Sequence, residues 1–192
     1  MHLLASALIL LTSLPALGPI EEARELIAQR RWSDAETKLE RVIGDPSVEL
    51  TEIANARQDA KAGIEWGKQA IKASPDSSNA HYQYALALRN KMQTVSGMRS
   101  IFTVGSYRRA VVKAVVLDDR NIDAPLEQIE FLLNAPGFVG GSKQSARERA
   151  VELKDIDWRA GMFGMARVEA EAGSAVMVHR FFSTPCSGPP IV

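Results

Sequence analysis

Asp119, Asn121, Asp123 and Glu130 stand at positions 1, 3, 5 and 12 of the segment DRNIDAPLEQIE, the oxygen spacing with which a loop wraps a calcium ion. The sixth position of such a loop needs a residue at ease with positive φ. Here it is Ala124, and Pro125 behind it restricts it toward extended backbone. The loop is therefore not expected to close round a metal. Asp123 reads instead as a helix N-cap, with Pro125 in the first turn.

A second candidate is NAPGFVGGSK, Asn134 to Lys143, which gathers three glycines and a lysine between two apolar runs. A phosphate-binding loop requires Gly-Lys-Ser/Thr after a strand. In this chain Gln144 follows Lys143, and the preceding LEQIEFLLN has a helical period. The segment is expected to be an enlarged turn: Asn134 ends a helix, Pro136 forbids its continuation, Gly137, Gly140 and Gly141 allow positive φ, and Ser142 caps the next helix. A helix N-terminus beside Lys143 leaves room for a carboxylate or other anion.

No other grouping offers chemistry. The histidines are His2, His81 and His179, too far apart in the chain to suggest a cluster with Cys186, the only cysteine. Ser96, Ser100 and Ser106 have no histidine near them in sequence, and Cys186 lies in a proline-rich tail with no helix end to activate it. Neither a catalytic residue nor a cofactor is expected. Lys and Arg number 23 and Asp and Glu number 23, so no overall charge draws the chain to nucleic acid or to an anionic membrane. Arg99, Arg108 and Arg109 read as a solvated face, and Trp32, Trp66 and Trp158 as packing between helices.

The elements that must carry these residues are helical. Of 192 residues, 46% are apolar, enough for a substantial core. From Pro19 to about Ser174 apolar residues recur every three or four positions, with no alternating strand segment. Residues Leu3 to Leu17 are apolar or small and end in Ala16 to Gly18, which predicts a secretory signal over residues 1–18. No basic residue precedes this run and Pro19 follows it; an apolar first helix is the alternative. The helical body spans 19–174, and 175–192, with three prolines, form an irregular tail or a partial cap. No membrane span is expected once the signal is removed.

Three helix ends align: WSDAETKLERVIGDP, AGIEWGKQAIKASPD and YRRAVVKAVVLDDR. Each has a small residue midway, an apolar pair near its end (Val42 with Ile43, Ala70 with Ile71, Ala114 with Val115) and a Pro or Asp turn. This pattern resembles the tetratricopeptide repeat (TPR). The residues that match are Ala35, Leu39 and Val42 with Pro46, Ile71 with Pro75, and Ala114 with Asp119, where the terminal proline is missing. The spacing departs from the ~34 residues of that repeat. Between the first two prolines, Ile53, Ala56, Ala60, Ile64, Gly67 and Ile71 predict one long helix in place of a pair. Within the long third repeat, KMQTVSGMRSIFTVG is expected in the turn between helices. The stretch from Ala60 to Gly173 further resembles a divergent group of exported bacterial repeat proteins, related to the regulator of microtubule dynamics family.

The resemblance implies an all-α, degenerate TPR-like helical-repeat solenoid of four or five antiparallel pairs. It implies a non-catalytic scaffold that binds a protein or peptide in the periplasm or cell envelope. The first helices of the repeats would line a groove with Asn79, Tyr82, Leu86, Arg89 and Asn90 from one helix and Asp123, Leu126, Glu130 and Leu133 from the next. The other reading is a helical module that binds a small ligand or solute for a transport system. After RVEAEAGS no helical run covers the last helix, so either Val176 to Phe182 folds back as a short cap or the apolar face of Met162 to Val168 is open to a partner or a second copy, a route to homo-oligomers.

Overall fold

The computed structural model describes residues 18–40, 42, 45–94, 98–118 and 120–171. The leader expected over 1–18, apart from Gly18, and the tail expected over 175–192 lie outside them, as do Asp119 and Cys186. All regular structure among the described residues is helical: α1 (Pro19–Ala28), α2 (Trp32–Leu39), α3 (Ser47–Ala56), α4 (Ala60–Ala73), α5 (Ser78–Met92), α6 (Met98–Leu117), α7 (Asp123–Asn134), α8 (Lys143–Ile156) and α9 (Trp158–Glu171), with a 3-10 turn over Gly137–Val139. None of these helices is long and apolar enough to cross a membrane.

The helices fall into two compact units, divided between Gly44 and Asp45. In the first, α1 packs on α2 through Ala23, Ile27, Ala35 and Leu39, all buried, and Lys38 of α2 is paired with Glu22 of α1. Ala35 is the small residue of the first aligned segment. With no side chain beyond Cβ to hold the helices apart, it occupies the position where α1 and α2 meet.

The second unit contains α3 to α9. Each helix packs on the next in sequence from α3 to α9, and in addition α3 touches α5, α5 touches α7, and α7 touches α9. These contacts sort the unit into a row of first helices (α3, α5, α7, α9) and a row of second helices (α4, α6, α8). Small residues set the spacing. A Cβ on Gly67 of α4 would meet the Tyr84 backbone of α5 at 3.1 Å, and one on Gly161 of α9 would meet the Lys154 backbone of α8 at 2.3 Å. Ala70 and Ala114, each the first residue of the apolar pair near the end of its aligned segment, are fully buried. Two apolar clusters form the centre, one around Ile129, Leu133, Ala150 and Leu153, the other around Leu88, Tyr107, Val111 and Phe131.

Four expectations need correction. The long helix predicted across Ile53 to Ile71 is two helices. Gln58 takes the left-handed conformation at φ 58°, and the Asp59 side chain accepts from the Ala62 N–H to start α4, so a tight turn forms without Gly or Pro. The segment expected as a turn at Met98 to Gly105 belongs to α6, because nothing breaks its period between Met98 and Leu117. Asp123 is not the N-cap of α7; Ile122 holds that place without a side-chain bond, and Pro125 does lie in the first turn. Trp158 is not buried between helices: it is exposed, with the Lys154 ammonium 4.6 Å from its ring centre.

NAPGFVGGSK is a turn, as expected, but its glycines serve different ends. Only Gly140, at φ 104°, occupies the left-handed region. Gly141 is required sterically, since a Cβ there would lie 1.7 Å from the Ala135 carbonyl oxygen, whereas one on Gly137 would meet nothing within 4 Å. Ser142 Oγ accepts from the Ser145 N–H and caps α8. Lys143 donates to the Glu171 carbonyl at 3.2 Å, so its ammonium ties the start of α8 to the end of α9.

Candidate protein-interaction face

The first-helix row is held together by polar side chains that span from one helix to the next. Asn55 of α3 donates to the backbone and side-chain oxygens of Gln83 at 2.9 and 3.0 Å, and Asn90 of α5 returns a bond to the Asn55 carbonyl at 3.3 Å. Arg89 of α5 donates to Glu127 of α7 at 2.5 Å. The other oxygen of that buried carboxylate accepts from Tyr107 of α6, also at 2.5 Å. Glu130 of α7 receives two bonds from Arg167 of α9, at 2.5 and 2.8 Å, the bidentate geometry that a guanidinium fork favours. In addition, Asn121 donates to Ser78 Oγ, which donates to the Ala114 carbonyl, joining the start of α5 and the end of α6 to the turn before α7.

The electrostatics follow from this packing. Burial raises the Tyr107 phenol far above its ordinary pKa, and the Glu127 charge and hydrogen bond raise it further, so the hydroxyl stays protonated and donates. Tyr82 is also pushed well above the ordinary phenol value, first by burial and then by the charges of Asp123 and Glu127, with Glu52 adding to them. The Glu130 carboxyl is held below its usual range, chiefly by its hydrogen bonds from Arg167 and against the opposing effect of burial. Tyr82 thus marks an acid-rich part of the row, with its ring packed on Ala114, Val115 and Ala124.

The residues expected to line the groove do not all face outward. Asn79 and Asp123 are exposed, at the starts of α5 and α7, while Tyr82, Leu86 and Asn90 are half-buried. Arg89 is partly exposed but committed to Glu127, and Glu130 to Arg167. Leu126 packs at the edge of the cluster around Ile129. Leu133 belongs to the core and cannot meet a partner; it follows Ile129 by one helical turn and so shares its inward face. Glu127, Tyr107 and Arg167 were not singled out by sequence. Glu127 lies one turn after Asp123, but no local pattern marks it as buried or pairs it with a tyrosine 20 residues earlier.

The calcium pattern does not come together among the described residues. Asn121 is engaged with Ser78, Asp123 is exposed and Glu130 is held by Arg167. No group of three or more His, Cys, Asp or Glu that could hold a metal is found among the described residues. His81 closes the turn between α4 and α5, its ring N–H donating to the Pro75 carbonyl at 2.9 Å. A cavity of about 390 Å³ opens at the C-terminal ends of α5 and α7, lined by Met92, Val104, Tyr107 and Phe131, with Arg89 and Asn134 at its polar side.

No family model matches the chain, and no curated protein does. Among solved structures the chain is similar to a thermophilic TPR protein from Thermus thermophilus, with a TM-score of 0.72, 13% sequence identity, and 86% of this chain covering 87% of that one. The likeness is one of fold, and it agrees with the helix-pair packing of a TPR-like array.

Proposed function

We propose that the chain is a non-catalytic scaffold acting in the bacterial periplasm or cell envelope, and that the row α3, α5, α7 and α9 receives an extended segment of a partner protein. The observation that carries this reading is the half-buried Tyr82, set among Glu52, Asp123 and Glu127 on a first-helix row that is already rigid. In repeat arrays this row faces the concave side, where partners bind. A tyrosine beside exposed Asn79 and Asp123 offers an aromatic anchor with hydrogen-bonding and acidic neighbours, suited to a segment that carries a basic residue. The leader read from sequence supports export.

The test is recovery from the native cell envelope. Wild-type chain and a Tyr82→Ala, Asp123→Lys variant are used as bait, with circular dichroism confirming equal helicity. Proteins retained by the wild type and lost with the variant are the expected result; identical recovery removes the face from consideration. The second reading, a small-ligand module, has the 390 Å³ cavity in its favour. It predicts that a small molecule, rather than a protein, is released when the purified wild type is denatured.

A further inference from the structure

α6 has a second face that the fold does not use. Phe102, Gly105, Arg109, Val112 and Val116 follow one another at steps of three and four, so they form one stripe, about 21 Å long at 1.5 Å per residue. It lies opposite the buried side of the helix, which carries Thr103, Tyr107, Ala110, Val111 and Ala114. Phe102 and Val116 are each 74% exposed, and Phe138 of the neighbouring 3-10 turn is 81% exposed. Isolated exposed apolar residues are ordinary, but Val112 and Val116 stand one turn apart with Phe102 farther along the same stripe, and apolar side chains gathered on one face mark an interaction surface.

Charge surrounds the stripe. Arg108 and Lys113 lie on its two flanks, one about 70° to each side by the 100° step of a helix, and Arg109 lies within it. Among the described residues none of the three is within ion-pair distance of a carboxylate. The Arg109 guanidinium donates to the Ser106 hydroxyl, and that of Arg108 lies over Gly140, where a Cβ would meet it at 2.9 Å. In a chain with no net charge, this is a local excess of three positive charges around apolar side chains.

The surface is a trough rather than a dome. About 600 Å³ of open space lies between α6 and the turn, bounded by Arg108, Val112, Val116 and Val139. At Gly105 the backbone is bare, and an added Cβ would meet only the tip of Arg109, at 3.8 Å. The depression and the bare glycine give room for the ridge of a second helix, and the cations beside it call for carboxylates on the flanks of that helix.

We propose that this trough is a docking site for an amphipathic helix of a partner protein, with an apolar stripe of about four turns and carboxylates on both flanks. Its apolar residues cover Val112, Val116 and Val139 in the trough and Phe102 farther along the stripe, and its carboxylates pair with Arg108 and Lys113. The site is independent of the first-helix row.

The test uses the full chain and two synthetic, side-chain-stapled helices of about 14 residues with leucines along one face, flanked in one by glutamates and in the other by lysines. Fluorescence anisotropy should show the glutamate helix binding at least tenfold more tightly than the lysine helix, and several-fold more weakly when salt is raised from about 50 to about 300 mM. Arg108→Glu with Lys113→Glu should reverse the preference. Val116→Asp should abolish binding of either helix, and Tyr82→Ala should change nothing. All of these substituted flank and stripe residues are exposed, and circular dichroism checks that each variant keeps its helicity. Equal binding of the two helices, binding of neither, or a preference that the charge reversal leaves intact overturns the proposal. Vesicles of mixed phosphatidylglycerol and phosphatidylcholine form the remaining arm: if they bind the chain, lose it on charge reversal, and the glutamate helix does not compete, the face is a membrane surface and the helix-docking proposal fails.

Discussion

On the first-helix row Arg89 and Arg167 are committed to Glu127 and Glu130, so each cation holds one helix against the next. On the outer side of α6, Arg108, Arg109 and Lys113 have no carboxylate among the described residues and stand beside exposed Phe102 and Val116. The same residue type therefore does two kinds of work within one array. Where charge is shared between helices, it links α5 and α9 to α7 and is used within the fold. Where no carboxylate among the described residues answers the charge, as on the outer side of α6, the docking proposal gives it a partner's carboxylate to meet.

The sharpest way to break this comparison is one substitution made on both faces. Arg89→Ala leaves the Glu127 carboxylate buried with only the Tyr107 hydroxyl, and it also removes the aliphatic stem of Arg89 from the cavity edge. Breaking a buried ion pair costs several kcal/mol; because Arg89 is itself partly exposed, the expected loss is about 3 kcal/mol. Arg109→Ala is expected to change stability by less than ~0.5 kcal/mol, as a surface substitution without a carboxylate partner. Urea denaturation of both variants decides it, and similar losses would mean that α6 relies on its cations after all. Replacing all three members of the cluster, Arg89→Met with Glu127→Leu and Tyr107→Phe, should restore most of the stability, since it removes the stranded charge together with the hydroxyl that would otherwise lose its acceptor.

A smaller effect separates shape from recognition in the turn that walls the trough. Gly141→Ala drives a methyl group into the Ala135 carbonyl and is expected to cost about 2 kcal/mol, and Gly140→Ala about 1 kcal/mol for its φ of 104°. Gly137→Ala meets open space and should leave the melting temperature unchanged or raise it slightly. Thermal melts of the three variants rank them. A Gly137 variant that melts early would show that the sequence-based view of three equivalent glycines was closer to the truth than the structure.

That difference shows what the chain makes legible locally. The period of apolar residues, the buried Ala35, Ala70 and Ala114 and the prolines after helices are one-dimensional signals, and they led to an all-α repeat array. The turn at Gln58 was missed because its left-handed residue is neither Gly nor Asn. Its trace was Asp59, a side chain placed to cap α4, within an otherwise unbroken helical period. Repeat register assigned Asn79, Tyr82 and Asp123 to the proposed partner face, and the structure leaves Asn79 and Asp123 exposed and Tyr82 half-buried on the first-helix row. Leu133 was assigned to the same face but lies in the core, one turn after Ile129 and in the same cluster with Ala150 and Leu153 of α8. The links from Arg89 to Glu127 and from Glu130 to Arg167 join residues 38 and 37 positions apart, and nothing local signals such pairs.

The smallest effect tests whether the locking charges on the first-helix row are graded by burial. Glu130 and Arg167 are both partly exposed, and such a pair contributes no more than about 1 kcal/mol. Since Arg167 holds the Glu130 carboxyl below its usual range, the folded state binds a proton at Glu130 less readily than the unfolded chain does. The pair's contribution is therefore complete above the unfolded value of about 4.3, and it is lost as pH falls through the lower folded value. Arg167→Met should lower the urea midpoint modestly at about pH 7, with the gap from wild type constant down to about pH 5 and closing in more acidic solution. The Arg89→Ala gap near neutrality should be several times larger, because Glu127 is buried and Glu130 is not. If the two gaps are equal there, burial does not grade these pairs. If the Arg167→Met gap does not close in acid, Arg167 stabilises α9 through packing and not through the charge of Glu130.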